Sequence, residues 1–195
     1  MPTNDPEPTD EELLARSVRG DERAFGSFVA RHRIGLHRYA RMLSRNDTDA
    51  EDVLQDTFLQ AWRGAHAATV RSVRPWLFTI ARHALQRQRL RRVDTPTEAE
   101  SLESLGAAAG FADADATPER FAMALEERSL LRAALAALDD ADREVIVLRE
   151  LEQLSGDETA AVLGVSLEAM KSRLHRARLR LVAEVRRRLP DGGTR

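Results

Sequence analysis

Cysteine is absent from the 195 residues. That excludes disulfides, thiolate zinc sites and cysteine redox sensing within the chain. Aromatic residues amount to only 5%, and no sustained β-branched alternation occurs, so nothing favours strands. No long apolar run exists, so no membrane insertion is expected. The opening MPTNDPEPTDEELL is acidic and proline-rich rather than a signal peptide, which predicts a cytoplasmic protein. Net charge is nearly absent as well, at a formal −2, and Lys171 is the single lysine. The histidines, His32, His37, His66, His83 and His175, fall into no metal-ligand spacing, so neither a metal nor a cofactor is expected. No grouping of nucleophile, base and orienter is legible, which argues against an enzyme. No Gly-x-x-x-x-Gly-Lys phosphate loop is present either.

What remains is rich in Ala and Leu at helical spacing. The reading is all-α: two small helical domains joined by a flexible acidic linker, the second domain containing a helix-turn-helix. Charge is distributed unevenly along the chain. Arg71, Arg74, Arg82, Arg87, Arg89, Arg91 and Arg92 occupy a stretch without a carboxylate. Asp94, Glu98, Glu100, Glu103, Asp113, Asp115 and Glu119 follow, against Arg120 alone. The final helix is basic again. The expected organisation is a disordered tail over 1–10, a domain over 11–92, a linker over 93–118, a second domain over 119–189 and a tail over 190–195. The linker holds one apolar run, SLESLGAAAGF, with the composition of a weak helix.

In the first domain, Glu11–Val18 and Ala24–Leu43 have helical periodicity. Thr48-x-x-Glu51 reads as a capping box opening a third helix. That helix would bury Ala50, Val53, Leu54, Thr57, Phe58, Ala61 and Trp62, with Asp49, Asp52, Gln55, Asp56 and Gln60 on its other face. Gly64–Arg74 reads as a loop, with Pro75 in the first turn of the next helix. Trp76, Leu77, Ile80, Ala81, Ala84 and Leu85 would face the core. Trp76 and Phe78 read as core residues rather than as stacking platforms.

Asp142–Leu181 is the most informative segment. Ser155-x-x-Glu158 is a capping box, Gly164 stands where a left-handed residue ends a helix, and Ser166 can cap the next one. Upstream, Leu125, Leu130, Leu131, Ala134, Leu135 and Leu138 would be buried, Asp139 or Asp140 would cap the following helix, and Val145, Ile146 and Leu148 would be its core. Met170, Leu174, Ala177 and Leu181 form the buried stripe of the last helix. Glu168, Lys171, Ser172, His175 and Arg176 project away from it. A basic helix behind a tight turn is the layout of a helix-turn-helix, whose second helix lies in the DNA major groove. Lys171 and Arg176 suit guanine, and Ser172 can donate or accept. Glu168 either accepts from a cytosine amino group or faces solvent near the positive end of the helix dipole. A solvated amphipathic helix would share the charge pattern but not the two capping signals and the turn spacing.

Two stretches together resemble one family. DAEDVLQDTFLQAWR with VRPWLFTIARHALQRQRLRR in the first half, and DREVIVLRELEQLSGDETAAVLGVSLEAMKSRLHRARLRL in the second, are similar to bacterial RNA polymerase sigma factors of the extracytoplasmic function group. The resemblance implies a promoter-specificity subunit that partners core RNA polymerase, through its β′ and β subunits, promoter DNA and an anti-sigma factor. It implies that Asp49, Glu51, Asp52, Gln55, Asp56 and Gln60 dock on polymerase. Arg71, Arg74, Arg82, His83, Gln86 and Arg87 would meet the −10 element, and Glu168, Lys171, Ser172, Arg173, His175 and Arg176 the −35 element. The chain departs from the family at His83, where Asn is usual, at Gln86, where Asp is usual, and at Glu168-Ala169-Met170, where Gly-Thr-Val is usual. These departures bear on which bases are read. The rival readings are a free-standing helix-turn-helix regulator, which leaves the first domain idle, and a decoy mimic of a sigma surface, which needs neither basic helix.

Overall fold

The computed structural model describes residues 7–65, 72–93 and 118–189. The expectations for residues 1–6 and 190–195, the SLESLGAAAGF run, His66 and Arg71 lie outside them; of the expected 1–10 tail, Thr9 and Asp10 instead cap and open the first helix. The described residues form helices and no strand. The chain divides after Leu102 into two compact units.

The first unit holds α1 (Asp10–Val18), α2 (Glu22–Leu43), α3 (Asp47–Gly64) and α4 (Val73–Val93). Short polar residues set the starts of α1, α2 and α3. Thr9 and Glu12 form a reciprocal capping box on α1, and the Asp21 carboxylate accepts from the Ala24 N–H on α2. The start of α3 corrects the sequence reading. Its N-cap is Asn46, whose side-chain oxygen accepts from the Asp49 N–H at 2.8 Å, so the helix begins before Thr48 and no Thr48–Glu51 box forms. Asn is a strong N-cap, and the Asp47 and Asp49 behind it favour the positive end of the dipole. Helix α4 begins at Val73, so Val73 and Arg74 are helical rather than loop. Val73 is buried, which explains the earlier start.

The core of this unit is a three-way packing of α2, α3 and α4. Phe28, Leu36 and Tyr39 meet Val53, Leu54 and Phe58, and Leu77, Phe78, Ala81 and Leu85 close the third side. The Tyr39 and Phe78 rings meet edge to face with centroids 5.3 Å apart. Each such side chain contributes about 1.5–3 kcal/mol by leaving water. Phe78 is wholly core, whereas Trp76, Ile80 and Trp62 are only half-buried. Trp62 meets the edge of Phe25 at 4.6 Å between centroids.

The second unit holds α5 (Pro118–Ala136), α6 (Asp140–Ile146), α7 (Gly156–Leu163) and α8 (Leu167–Arg188). Asp139 caps α6. The end of α5 is tied down by Arg143, which donates to the carbonyls of Leu135, Ala136 and Leu138. Ala134, Leu135, Leu138, Val145, Ile146 and Leu148 are buried as expected. Leu131 is not: it is exposed on α5. The side chain of Leu125 lies outside the described residues.

Helix α6 runs into a π-helical turn over Val147–Leu151, which the sequence pattern does not announce. Behind it Gln153 takes φ 54°, the left-handed region that favours glycine. That turn places Glu152 and Leu154 in the interior and delivers the chain to the Ser155 cap.

Candidate nucleic-acid interface and docking face

The helix-turn-helix forms as its capping residues dictate. Ser155 and Glu158 close the box on α7. Gly164 takes φ 68°, and the Val165 N–H returns to the Ala160 carbonyl at 3.1 Å. Ser166 caps α8 through the Ala169 N–H. A contact that sequence reasoning missed holds the two helices together. A Cβ on Gly156 would stand 3.1 Å from Leu167 Cδ1 and 3.4 Å from Met170 Cε, so the start of α7 lies hard against the start of α8. A glycine inside an otherwise well-capped helix was the available signal.

This packing fixes which side of α8 is outward. Met170, Leu174 and Ala177 are buried and Leu181 is half-buried. Glu168, Lys171, Ser172, His175 and Arg176 are exposed, and Arg173 is half-buried at the edge of the same surface. Among the described residues no carboxylate pairs with Lys171, Arg173 or Arg176. Further along the helix Arg178, Arg180, Arg187 and Arg188 are engaged, the last two with Glu184. Arg178 holds Glu150 through its Nε at 3.1 Å. Arg180 lies 3.0 Å from Asp139 and also pairs with the buried Asp142. The unpaired cations are therefore concentrated at the turn end of α8, where a helix entering a groove presents its contacts.

In the first unit, the −10 candidates lie along α4. Arg74 is exposed, with its guanidinium 5.9 Å from the Phe78 ring centroid. His83 and Gln86 are exposed, and Arg82 and Arg87 are half-buried. Toward the end of α4 polar side chains tie the helices. Gln88 donates to the Asp49 carbonyl at 3.1 Å, and Arg89 donates to the Leu43 carbonyl at 3.0 Å, closing the last turn of α2.

The expected docking face of α3 is only partly a surface. Asp52, Gln55 and Gln60 are exposed, while Glu51 is half-buried and lies 3.2 Å from His37. Asp49 is a correction: it is buried, in the first turn beneath α4, because it stands one turn before the buried Val53 on the same side of the helix. Asp56 is half-buried and bonds Arg87 at 2.6 Å and Gln60 at 3.3 Å. Burial alone would raise its carboxyl. The hydrogen bonds from Arg87 and Gln60, with the charges of Arg87 and Arg91, outweigh burial and hold it below the usual carboxylate range. The structure thus brings together one residue from each of two faces that the sequence treats as separate.

His32 is a further buried polar residue. Its Nε2 lies 2.9 Å from Asp10, poorly aligned for a hydrogen bond. Burial lowers its affinity for a proton, only partly offset by Asp10. Among the described residues no group of three acids or histidines could hold a metal ion, and no helix is long and apolar enough to cross a membrane.

Known proteins share both halves of this arrangement. Residues 28–94 match the family described as Sigma-70 region 2, and residues 128–181 match Sigma-70, region 4. The RNA polymerase sigma factor CnrH of Cupriavidus metallidurans is 40% identical over 91% of this chain and 95% of its own length. The ECF RNA polymerase sigma factor SigM of Mycobacterium tuberculosis is 38% identical over 90% of this chain and 84% of its own. A solved structure of CnrH in complex with the cytosolic domain of CnrY superposes with a TM-score of 0.66 at 33% identity, covering 92% of this chain and 98% of that one. Sigma factor RpoE in complex with the anti-sigma factor NepR from Bartonella quintana gives 0.62 at 27% identity, covering 83% and 96%.

Proposed function

The chain belongs to the RNA polymerase sigma factors of the extracytoplasmic function group, and from that premise we propose how its two units divide the work. As a member it binds core RNA polymerase and directs promoter recognition and transcription initiation. Residues 119–189 hold the duplex −35 element. The turn end of α8 enters the major groove, with Lys171 and Arg176 on base edges or adjacent phosphates and Arg173 and His175 flanking them. The observation that carries this is the group of unpaired cations there, while Arg178 and Arg180 are bonded within the fold.

Residues 11–92 carry polymerase docking and −10 capture. Asp52, Gln55, Asp56 and Gln60 on α3 meet a basic surface of the β′ subunit, with Glu51 at the margin. Arg74, Arg82, His83, Gln86 and Arg87 on α4, with Arg71 before it, track the phosphates and extruded bases of one −10 strand. Asp49 acts through the shape of the helix start rather than by direct contact. The protein catalyses no reaction. Binding energy drives strand separation by favouring the open state. It works in the cytoplasm, and a partner resembling those bound to CnrH and RpoE restrains it by covering its contact surfaces.

Run-off transcription with reconstituted core polymerase on a promoter library tests the reading. Sequence-selective initiation that requires the full chain is the expected result. Specific duplex binding by the chain alone, with no polymerase association, would favour the free-standing regulator instead.

A further inference from the structure

The Asp56–Arg87 bond joins a residue of the docking face to a residue of the nucleic-acid face across the α3–α4 contact. Each side chain is about two-fifths exposed, so both can be reached from outside without unfolding the unit. Arg91 adds positive charge at the same carboxylate. In the free chain, a phosphate approaching Arg87 must compete with the Asp56 carboxylate for the guanidinium. A cationic partner approaching Asp56 must likewise compete with Arg87.

We propose that the Asp56–Arg87 ion pair is a latch that makes polymerase docking and single-strand DNA binding help each other. This rests on the assignment of α3 to docking and α4 to DNA. Either ligand opens the pair, and the second then binds without opening it again. Because the cost is shared, the help is reciprocal: the factor by which core polymerase strengthens strand binding is the factor by which the strand strengthens core binding. A half-exposed ion pair sets the scale of this factor at about two- to fivefold. The free chain is thereby kept from holding stray single strands, and Arg87 becomes available where a promoter is to be opened.

The test is a double-mutant cycle read by fluorescence anisotropy on labelled oligothymidylate, whose phosphates report Arg87 independently of sequence. The free full-length chain is compared as wild type, Asp56→Asn, Arg87→Ala and the double variant, each checked for a cooperative thermal transition that leaves it folded at the assay temperature. Asp56→Asn is expected to bind the oligonucleotide about two- to fivefold more tightly than wild type, and to have no such effect once Arg87 is Ala. Addition of core polymerase should then strengthen strand binding by a smaller factor in Asp56→Asn than in wild type. An equal gain from Asp56→Asn in both backgrounds would mean simple removal of negative charge and would overturn the latch. A loss of affinity in Asp56→Asn would make Asp56 a positioning residue for Arg87 and overturn it equally. If Arg87→Ala binds as wild type does, the assignment of Arg87 to DNA fails, and the latch with it.

Discussion

Helices α4 and α8 are both arginine-rich, and their cations meet different ends. On α4 the engaged side chains, Arg87, Gln88 and Arg89, bind a carboxylate and two carbonyls on α2 and α3. On α8 the engaged arginines, Arg178 and Arg180, bind acids around α6, while Lys171, Arg173 and Arg176 nearer the turn remain unpaired among the described residues. The difference follows from what each helix packs against. Helix α4 lies along α3, which begins with Asp47 and Asp49 and carries acids on its outer side. The turn end of α8 packs against α7 through Gly156, Leu167 and Met170, which are apolar contacts that leave the cations outside. A basic helix thus keeps its cations unpaired where the neighbouring element supplies no acid, and holds some of them within the fold where it does.

The largest expected effect breaks or supports that distinction on α8. Lys171→Ala and Arg176→Ala should each weaken holoenzyme binding to duplex promoter by about 1–3 kcal/mol if the contact is bidentate to a base. Arg178→Ala should leave promoter affinity nearly unchanged. Binding titrations at fixed salt decide between them, and a loss for Arg178→Ala as large as that for Lys171→Ala would erase the division.

On α4 the exposed His83 offers the parallel test. An imidazole can stack on an extruded base or bond its edge. Permanganate reactivity of the −10 region should fall for His83→Ala on duplex promoter and recover partly on a pre-melted template, where the unpairing cost is already met. Equal open-complex yield on duplex DNA would leave His83 without a role.

The tethered arginines should act on stability instead. Arg180→Leu removes a partner of Asp142, whose side chain is only 6% exposed. A loss of about 1 kcal/mol is expected, because the arginine itself is half in solvent. Urea denaturation of the full chain measures it, and no change in midpoint would show the pair to be energetically idle.

A smaller gain is expected where the chain turns toward the recognition helix. Gln153→Gly relieves a left-handed backbone in a residue with a Cβ, offset by the greater freedom of glycine when unfolded. Net stabilisation of about 0.5–1 kcal/mol should appear as a raised melting temperature.

The pH dependence contributed by His32 sharpens the contrast between buried and exposed pairs. Its proton affinity is lowered in the fold, with Asp10, Arg31 and Arg74 facing it. Below the ordinary value of 6.5 the unfolded chain therefore binds a proton that the folded chain resists. This contribution to stability is present above 6.5 and is lost as pH falls toward the folded value. His32→Gln should flatten the urea midpoint across that window, and an unchanged pH profile would show the buried imidazole to be thermodynamically neutral.

Much of this molecule is decided locally. The boundaries of α7 and α8, the glycine between them and the outward face of α8 follow from Ser155, Glu158, Gly164 and Ser166, whose capping chemistry acts over a few bonds. The all-α class follows equally from periodicity. Where two local signals compete, the pattern misleads: Thr48 and Glu51 have the spacing of a box, but Asn46 caps first. The π turn before Glu152, the half-exposure of Trp76, and the bonding of Arg87 to Asp56 are not periodic features of any segment. They depend on which helix lies alongside, a relation between residues far apart in the chain. Composition places arginine on a helix, and only the approach of a second helix decides whether that charge meets an acid within the fold or remains available to a phosphate outside it.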